Sequence, residues 1–525
     1  MKKFLLLCLL FTCLAHAQED AWVYFTDKPD AGYYLANPLE MLSQKALDRR
    51  ANQGIALDEQ DVPIHPDYIT GIETASGITV MAKSKWLNAL HVRGSQQAIN
   101  ALENLSYVDY VAFANQNLNN GRVMQPAQLL AVQNTQENYN YGGSAGQVQM
   151  LNAHLLHQQG YTGEGITIAV LDAGFPGVNT AAPFQHLMTN NLVLGGYDFV
   201  ANSPDFYGGG NHGTRILSTL AGYTENQLVG TAPDAFYYLF RTENADSENP
   251  VEESYWVEAA EMADSLGVDI INTSLGYLDY DNPDYTYTYA DLNGQTAFMS
   301  RGANVAFTRG MLVVVSAGNN GDDPEPHVMV PGDAFNALTV GAVDQSEQYA
   351  YFSAIGPTVD GRVKPDVMAK GFAATYANTD GTIATGNGTS FAAPVMAGAV
   401  ACLWQAAPNR TNAEILQIVK QSADRYNNPD SQYGYGIPDF SIALEDALGM
   451  PEVNGNTFTL YPNPAANVVH FSATASLVTL YNTLGQEMFK AQATDTINIE
   501  SLPPGIYTYV IEAGASSIKG KILKQ

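Results

Sequence analysis

Four short stretches carry the residues that could do chemistry. "ITIAVLDAG" ends an apolar run on Asp172, and "GGGNHGTRILSTLAG" sets His212 at a loop-to-helix junction. "VVVSAGNNG" ends another apolar run at Asn319, and "GNGTSFAAPVMAG" puts Ser390 where a glycine-rich loop meets an apolar helix. A serine hydroxyl is a weak nucleophile at neutral pH. An unprotonated histidine can take its proton, and a buried carboxylate can hold the imidazole in the right tautomer. The attacked carbonyl then gains negative charge, which an asparagine amide or a backbone N–H at a helix start can stabilise. Singly, each residue has a plainer reading. An aspartate at a strand end caps a turn, a histidine among glycines lies in a loop, and a serine at a helix start caps the helix. Their conjunction in this order, on the ends of expected elements, favours chemistry. Gly386 and Gly388 fit the same reading, because a loop without side chains can approach a substrate.

These residues need a scaffold. From about 140 to 450, apolar runs of strand length ("GITIAVLD", "AFYYLF", "VDIINTSLG", "MLVVVSAGN", "ALTVGAV") alternate with helical stretches ("VEAAEMADSLG", "MSRGANVAFTRG"). Such alternation predicts an α/β domain, a parallel sheet with helices on both faces. Sites in these sheets gather at the carboxyl ends of strands, where Asp172 and Asn319 fall. Residues 18–115 read as a small α+β unit, and the Asn- and Gln-rich 116–139 as a linker open to cleavage. Residues 455–525 alternate apolar and polar positions between turns, the pattern of a small antiparallel β-sandwich.

Composition narrows the partners. Lys plus Arg is 24 against 53 Asp plus Glu, a net charge of −29, which repels nucleic acid and anionic membranes. Residues 1–17 combine Lys2 and Lys3, an apolar run and Ala15-His16-Ala17, the pattern of a secretory signal peptide. Its apolar run is too short to span a membrane, so a secreted or cell-surface protein that is not integral to the membrane is expected. Cys8 and Cys13 lie in that segment, which leaves Cys402 alone and reads as a buried core residue.

"AVLDAG", "HGT", "SAGN" and "GTSFAAP" occur in the order of the subtilisin-like (subtilase) serine peptidases, and the chain resembles that family over roughly 140–450. "GTSFA" is not the G-x-S-x-G elbow of the α/β-hydrolases. The resemblance implies a secreted endopeptidase with Asp172, His212 and Ser390 as its triad and Asn319 as its oxyanion donor. "TSLG" resembles the family's substrate-binding strand, which gives Ser274 and Gly276 the peptide backbone and Leu275 a share of the first specificity pocket. Three motifs depart from the family pattern, at Ala173, at Arg215, and at Ala393-Pro394-Val395 where many members have Ser-Pro-His. The first unit resembles an inhibitory propeptide. The last, with "LYPNPA" and "LPPGIYTYVI", resembles a type IX secretion sorting domain. Implied partners are therefore protein or peptide substrates, the chain's own propeptide and the outer-membrane secretion machinery. The competing class is an adhesin or binding protein on an inactive subtilase scaffold.

The chemistry requires no cofactor. Structural Ca²⁺, common in the family, would fall on the acidic tracts "TENADSENPVEES" and "DYDNPDYTYTYAD", although neither has a regular ligand pattern and both read first as solvated loops. His154 and His157, three apart on a helix, read as surface residues rather than a metal pair, because a metal site needs further ligands.

Overall fold

A computed structural model describes residues 18–118, 139–449, 460–461, 465, 467–482, 487–503, 505–513 and 516–524. The signal segment 1–17 and most of the linker, 119–138, lie outside the described residues. The chain divides into two compact units, Met1–Ala447 and Leu448–Gln525.

The larger unit is built on a seven-stranded sheet, every pairing of which is parallel. In spatial order its strands are Val367–Lys370, Leu338–Val343, Leu312–Ser316, Ile270–Thr273, Thr167–Asp172, Phe236–Arg241 and Val193–Asp198. Four of the five inner strands are buried along their whole length, which is why they read as unbroken apolar runs, and the fifth, Phe236–Arg241, is half-buried at three positions. Two strands lay outside the sequence expectation. Val193–Asp198 is a half-exposed edge strand with two glycines, and Val367–Lys370 is only four residues long. Both lack the run of β-branched residues that marks a central strand.

The 18-residue helix Thr389–Ala406 runs through one core and is buried at every position. Among the described residues it is the one helix long and apolar enough to cross a membrane, and its burial gives it a core role instead. Pro394 stands inside it, past the first turn in which proline is readily tolerated. A proline there withholds the N–H that would bond the carbonyl four residues back, that of Ser390. Ser274 Oγ donates to that carbonyl at 2.9 Å instead, so the substrate-strand motif and the Ser390 turn are tied together.

Residues 18–113 form a four-stranded antiparallel sheet, ordered Ile78–Ser84, Ala89–Ser95, Gln18–Phe25 and Val108–Phe113, with its own apolar core. Its other side packs on the helix Val251–Leu266, which Gly267 ends in the left-handed conformation at φ 83°. The interface is unusually polar. Glu261 accepts from Ser84 Oγ (2.6 Å), Lys85 N–H (2.9 Å) and Trp86 N–H (3.0 Å). Asp264, fully buried, receives Arg50 on both oxygens (3.0 and 2.8 Å) and also Arg49. Arg50 also clamps Asp61, at 3.2 and 2.7 Å. Burial alone would raise the Asp264 carboxyl; Arg50 and then Arg49 reverse that and hold it at about 2. Beside this cluster Trp22 stacks on Phe298 at 4.9 Å and donates to Ser254 Oγ at 2.8 Å.

The smaller unit consists of antiparallel strands, Leu460–Tyr461, Val468–Tyr481, Glu487–Asn498, Gly505–Ala513 and Ser516–Lys524. Alternate residues such as Val469, Phe471, Val478, Leu480 and Ile497 form its apolar core.

Two expectations are corrected here. His157 is not a surface residue: it is fully buried, with its Nδ1 at 2.7 Å from the Tyr141 hydroxyl and its Nε2 at 2.9 Å from the Thr231 carbonyl. Burial pushes its imidazole down to about 4, so it is neutral. The tract 279–291 is not a solvated loop either. Tyr280, Tyr285 and Tyr287 are buried, and Tyr280 and Tyr287 both donate to Glu253 at 2.7 Å. Rings alternating with acids look polar in sequence yet bury one side.

Candidate active site

Asp172 closes its strand and is fully buried. Its Oδ1 accepts from Ala173 N–H at 2.7 Å and from His212 Nδ1–H at 2.8 Å. Its Oδ2 is buried without a partner. Gly213, next to the histidine, makes this approach possible. A methyl group there would sit 2.9 Å from Asp172 Cβ and 2.5 Å from the Gly174 carbonyl oxygen. Burial pulls the His212 imidazole down, and the charge and hydrogen bond of Asp172 outweigh it, so the group stands above its ordinary value. About a third of the side chain (35%) remains exposed, enough for a reactant to reach Nε2.

His212 begins the helix His212–Ala221, which packs against Thr389–Ala406 in an apolar core that includes Ile216, Leu217, Leu220, Val395, Met396 and Ala399. Ser390 is the second residue of the longer helix. Gly388 holds the cap position, so the expectation that Ser390 caps the helix is corrected. A cap residue lies outside the helical turn, and the hydroxyl at 390 is left with no hydrogen bond among the described residues, to His212 or to any other group. It is 7% exposed. Catalytic hydrogen bonds often tighten only around a bound substrate.

Asn319 is exposed at the end of the strand Leu312–Ser316 and its loop. Its Oδ1 accepts from Thr389 N–H at 2.8 Å and from Thr389 Oγ1 at 3.1 Å. With the oxygen occupied, the Nδ2 donors are turned outward. A methyl group on Gly388 would lie 2.8 Å from Ser390 Oγ and 3.7 Å from Asn319 Nδ2. The hydroxyl and the amide thus share one small space that only glycine leaves open.

Ser274, Leu275 and Gly276 follow the strand Ile270–Thr273 beside Asp172. Ser274 and Leu275 are buried, and the Ser274 side chain is committed to the Ser390 carbonyl. The facing loop adds a residue that motif reading does not reveal. A methyl on Gly276 would meet Met329 Cβ at 3.0 Å, and one on Gly318 would meet Met329 Cγ at 2.9 Å and Sδ at 3.1 Å. Met329 therefore lies in the gap between the strand of Ser274 and the loop of Asn319. Glu243 was also missed. It is the second residue after the strand Phe236–Arg241, as Gly174 is after Thr167–Asp172, but in sequence it merges into an acidic tract.

Three carboxylates of the two acidic tracts are committed to protein donors. Glu252 is spent on Asn244 N–H and Asn249 N–H, both at 2.8 Å, Glu253 on two tyrosines, and Asp291 on Thr288. Among the described residues no group of three or more His, Cys, Asp or Glu is gathered to hold a metal ion.

Comparison with known proteins adds three matches. The family model described as the Subtilase family matches residues 163–436. That of the Peptidase S8 propeptide domain of Bacteroidota matches 20–129, and that of the secretion system C-terminal sorting domain matches 459–525. The chain is 31% identical over 291 residues to subtilisin BL of Lederbergia lenta, covering 55% of this chain and 94% of that one. It is 30% identical over 301 residues to subtilisin NAT of Bacillus subtilis subsp. natto, covering 57% and 70%. The same identity and length hold for subtilisin of Bacillus pumilus, covering 57% and 98%.

Proposed function

Because this chain belongs to the subtilase family and is a serine endopeptidase, we propose that Ser390 is its nucleophile, His212 its general base and Asp172 the group that orients the base. The observation that carries this reading is the 2.8 Å bond from His212 Nδ1–H to Asp172 Oδ1. That bond fixes the tautomer, leaving Nε2 unprotonated and free to take a proton. As Ser390 Oγ attacks a peptide carbonyl, its proton passes to His212 Nε2, and the imidazolium is stabilised by Asp172. The oxyanion is met by Asn319 Nδ2 and the Ser390 N–H. His212 then protonates the leaving amine. Water, deprotonated by the same nitrogen, releases the acyl group from Ser390. No step needs a metal or organic cofactor.

The protein is secreted or carried at the cell surface, as its sorting domain and propeptide require. We read its N-terminal unit as the restraint on activity until export, with cleavage within 116–145. The C-terminal unit is read as the part handled by the type IX machinery at the outer membrane.

Casein hydrolysis by Ser390→Ala and Asn319→Ala tests the assignment. Triad deletion in subtilisin sets the scale for the first, about 10⁶-fold in kcat. The subtilisin oxyanion asparagine sets it for the second, about 10²–10³-fold. Equal cleavage by wild type and Ser390→Ala would overturn the assignment of Ser390; absence of cleavage by both, with no fluorophosphonate adduct on Ser390, would favour a binding protein on the subtilase scaffold.

A further inference from the structure

One carboxylate beside the triad has no task in the peptidase mechanism. Thr242 N–H donates to the Asp172 carbonyl at 3.0 Å, so Glu243 is the first residue past the sheet on that side. Its loop closes on the approach to His212, for a methyl on Gly210 would lie 3.4 Å from Ala245 Cβ. Arg241 is spent elsewhere, on Asp198 at 3.0 Å and on the Ala173 carbonyl at 3.2 Å. Among the described residues Glu243 has no hydrogen bond or ion pair, although it is half-buried. Burial, then Asp172 and Glu248, push it up to about 8.

The surroundings are built and incomplete. The loop is tied to the tract that follows the substrate strand: Asp281 N–H donates to the Glu248 carbonyl at 3.0 Å, and Glu248 N–H to Asp281 Oδ2 at 3.2 Å. Tyr277, directly after Gly276, is 2% exposed. Its hydroxyl is buried without a partner and lies within electrostatic reach of Glu243, Glu252 and Glu248. Thr242 Oγ1 is likewise buried and unpartnered. An uncommitted carboxylate and two idle hydroxyls ask for a cation with several N–H donors, which is the chemistry of a lysine or arginine side chain.

The register of a bound peptide says which side chain arrives there. A substrate extended along Ser274–Gly276 sends successive side chains to opposite sides. Seated with the residue that supplies the cleaved carbonyl in the gap holding Met329, such a peptide would turn the residue before it to the other side, that of Asp172 and the end of Phe236–Arg241. We propose that Glu243, backed by the Tyr277 hydroxyl, forms a subsite for a lysine or arginine immediately N-terminal to the residue whose carbonyl is cleaved. This rests on the reading of Asp172, His212 and Ser390 as the catalytic groups.

The test uses enzyme processed from the full chain and two fluorogenic peptides that differ only there, arginine against alanine. The expected kcat/KM ratio is at least tenfold for arginine at pH 8.5, falling to within threefold in Glu243→Gln. The ratio should grow between pH 6.5 and 9 as Glu243 ionises against Asp172, Glu248, Glu252 and Tyr277, and stay flat in Glu243→Gln. His212 titrates equally for both peptides, so its effect divides out. Anisotropy of the same labelled peptides on Ser390→Ala should show the arginine preference in binding alone. A wild-type ratio within threefold, or a preference that survives Glu243→Gln, overturns the subsite while leaving the peptidase intact. Cleavage of neither peptide, with no fluorophosphonate adduct on Ser390, overturns the catalytic reading and the subsite with it.

Discussion

Asp264 is the place where the grip of the N-terminal unit can be broken from the peptidase side. It is fully buried and holds two arginines of the N-terminal sheet unit, Arg49 and Arg50. Asp264→Ala would leave both guanidinium groups in the interface, with Arg50 retaining only Asp61. Removing one partner of a buried pair costs about 3–5 kcal/mol, which is about 150- to 4,000-fold in an equilibrium constant. Most of that should appear as faster dissociation. Once the N-terminal unit has left, Asp264 sits in water in the last turn of Val251–Leu266, where the helix dipole disfavours an acid. The substitution should therefore not weaken the processed peptidase. The assay is recovery of peptidase activity after dilution of the cleaved, still associated chain, with thermal unfolding of the separated peptidase as control. The Asp264 carboxyl is held at about 2, so its contribution is present above the ordinary carboxylate range and is lost only as pH falls through about 2. The effect should accordingly be constant between pH 5 and 8. Dissociation within threefold of wild type, with both arginines in place, would refute the claim that this ion cluster holds the two parts together.

Two further outcomes follow from the site. His212 must be neutral to act, and its folded-state value lies above 6.5; kcat/KM should rise with pH through a midpoint above that value, and Asp172→Asn should cut kcat by about 10⁴-fold. Met329 fills the gap between Gly276 and Gly318, so peptides with alanine at the cleaved carbonyl should be preferred over phenylalanine; Met329→Gly should raise kcat/KM for the phenylalanine peptide by about tenfold or more, measured against the alanine peptide.

The proposed catalytic groups could be picked out because each sits at the end of an element that is itself legible. Asp172 and Asn319 close or follow fully buried strands whose unbroken apolar runs point to a parallel sheet. His212 and Ser390 open helices behind glycines. What stayed hidden depends on segments meeting in space. Met329 matters because Gly276 and Gly318, forty-two residues apart in the numbering, lack side chains on either side of it. Glu243 matters because its strand pairs with that of Asp172. His157 looked superficial because its partners, Tyr141 and Thr231, come from different segments. The tyrosines of 277–287 alternate with polar residues, and only the helix beneath them, through Glu253, reveals which side is buried.

The central claim is that Ser390 attacks because His212, oriented by Asp172, removes its proton. Mass spectrometry of the processed protein after treatment with a fluorophosphonate tests it most directly. The account predicts one adduct, on Ser390, formed rapidly in wild type and slowed by orders of magnitude in His212→Ala. No adduct on Ser390, or labelling at the same rate without His212, would contradict it.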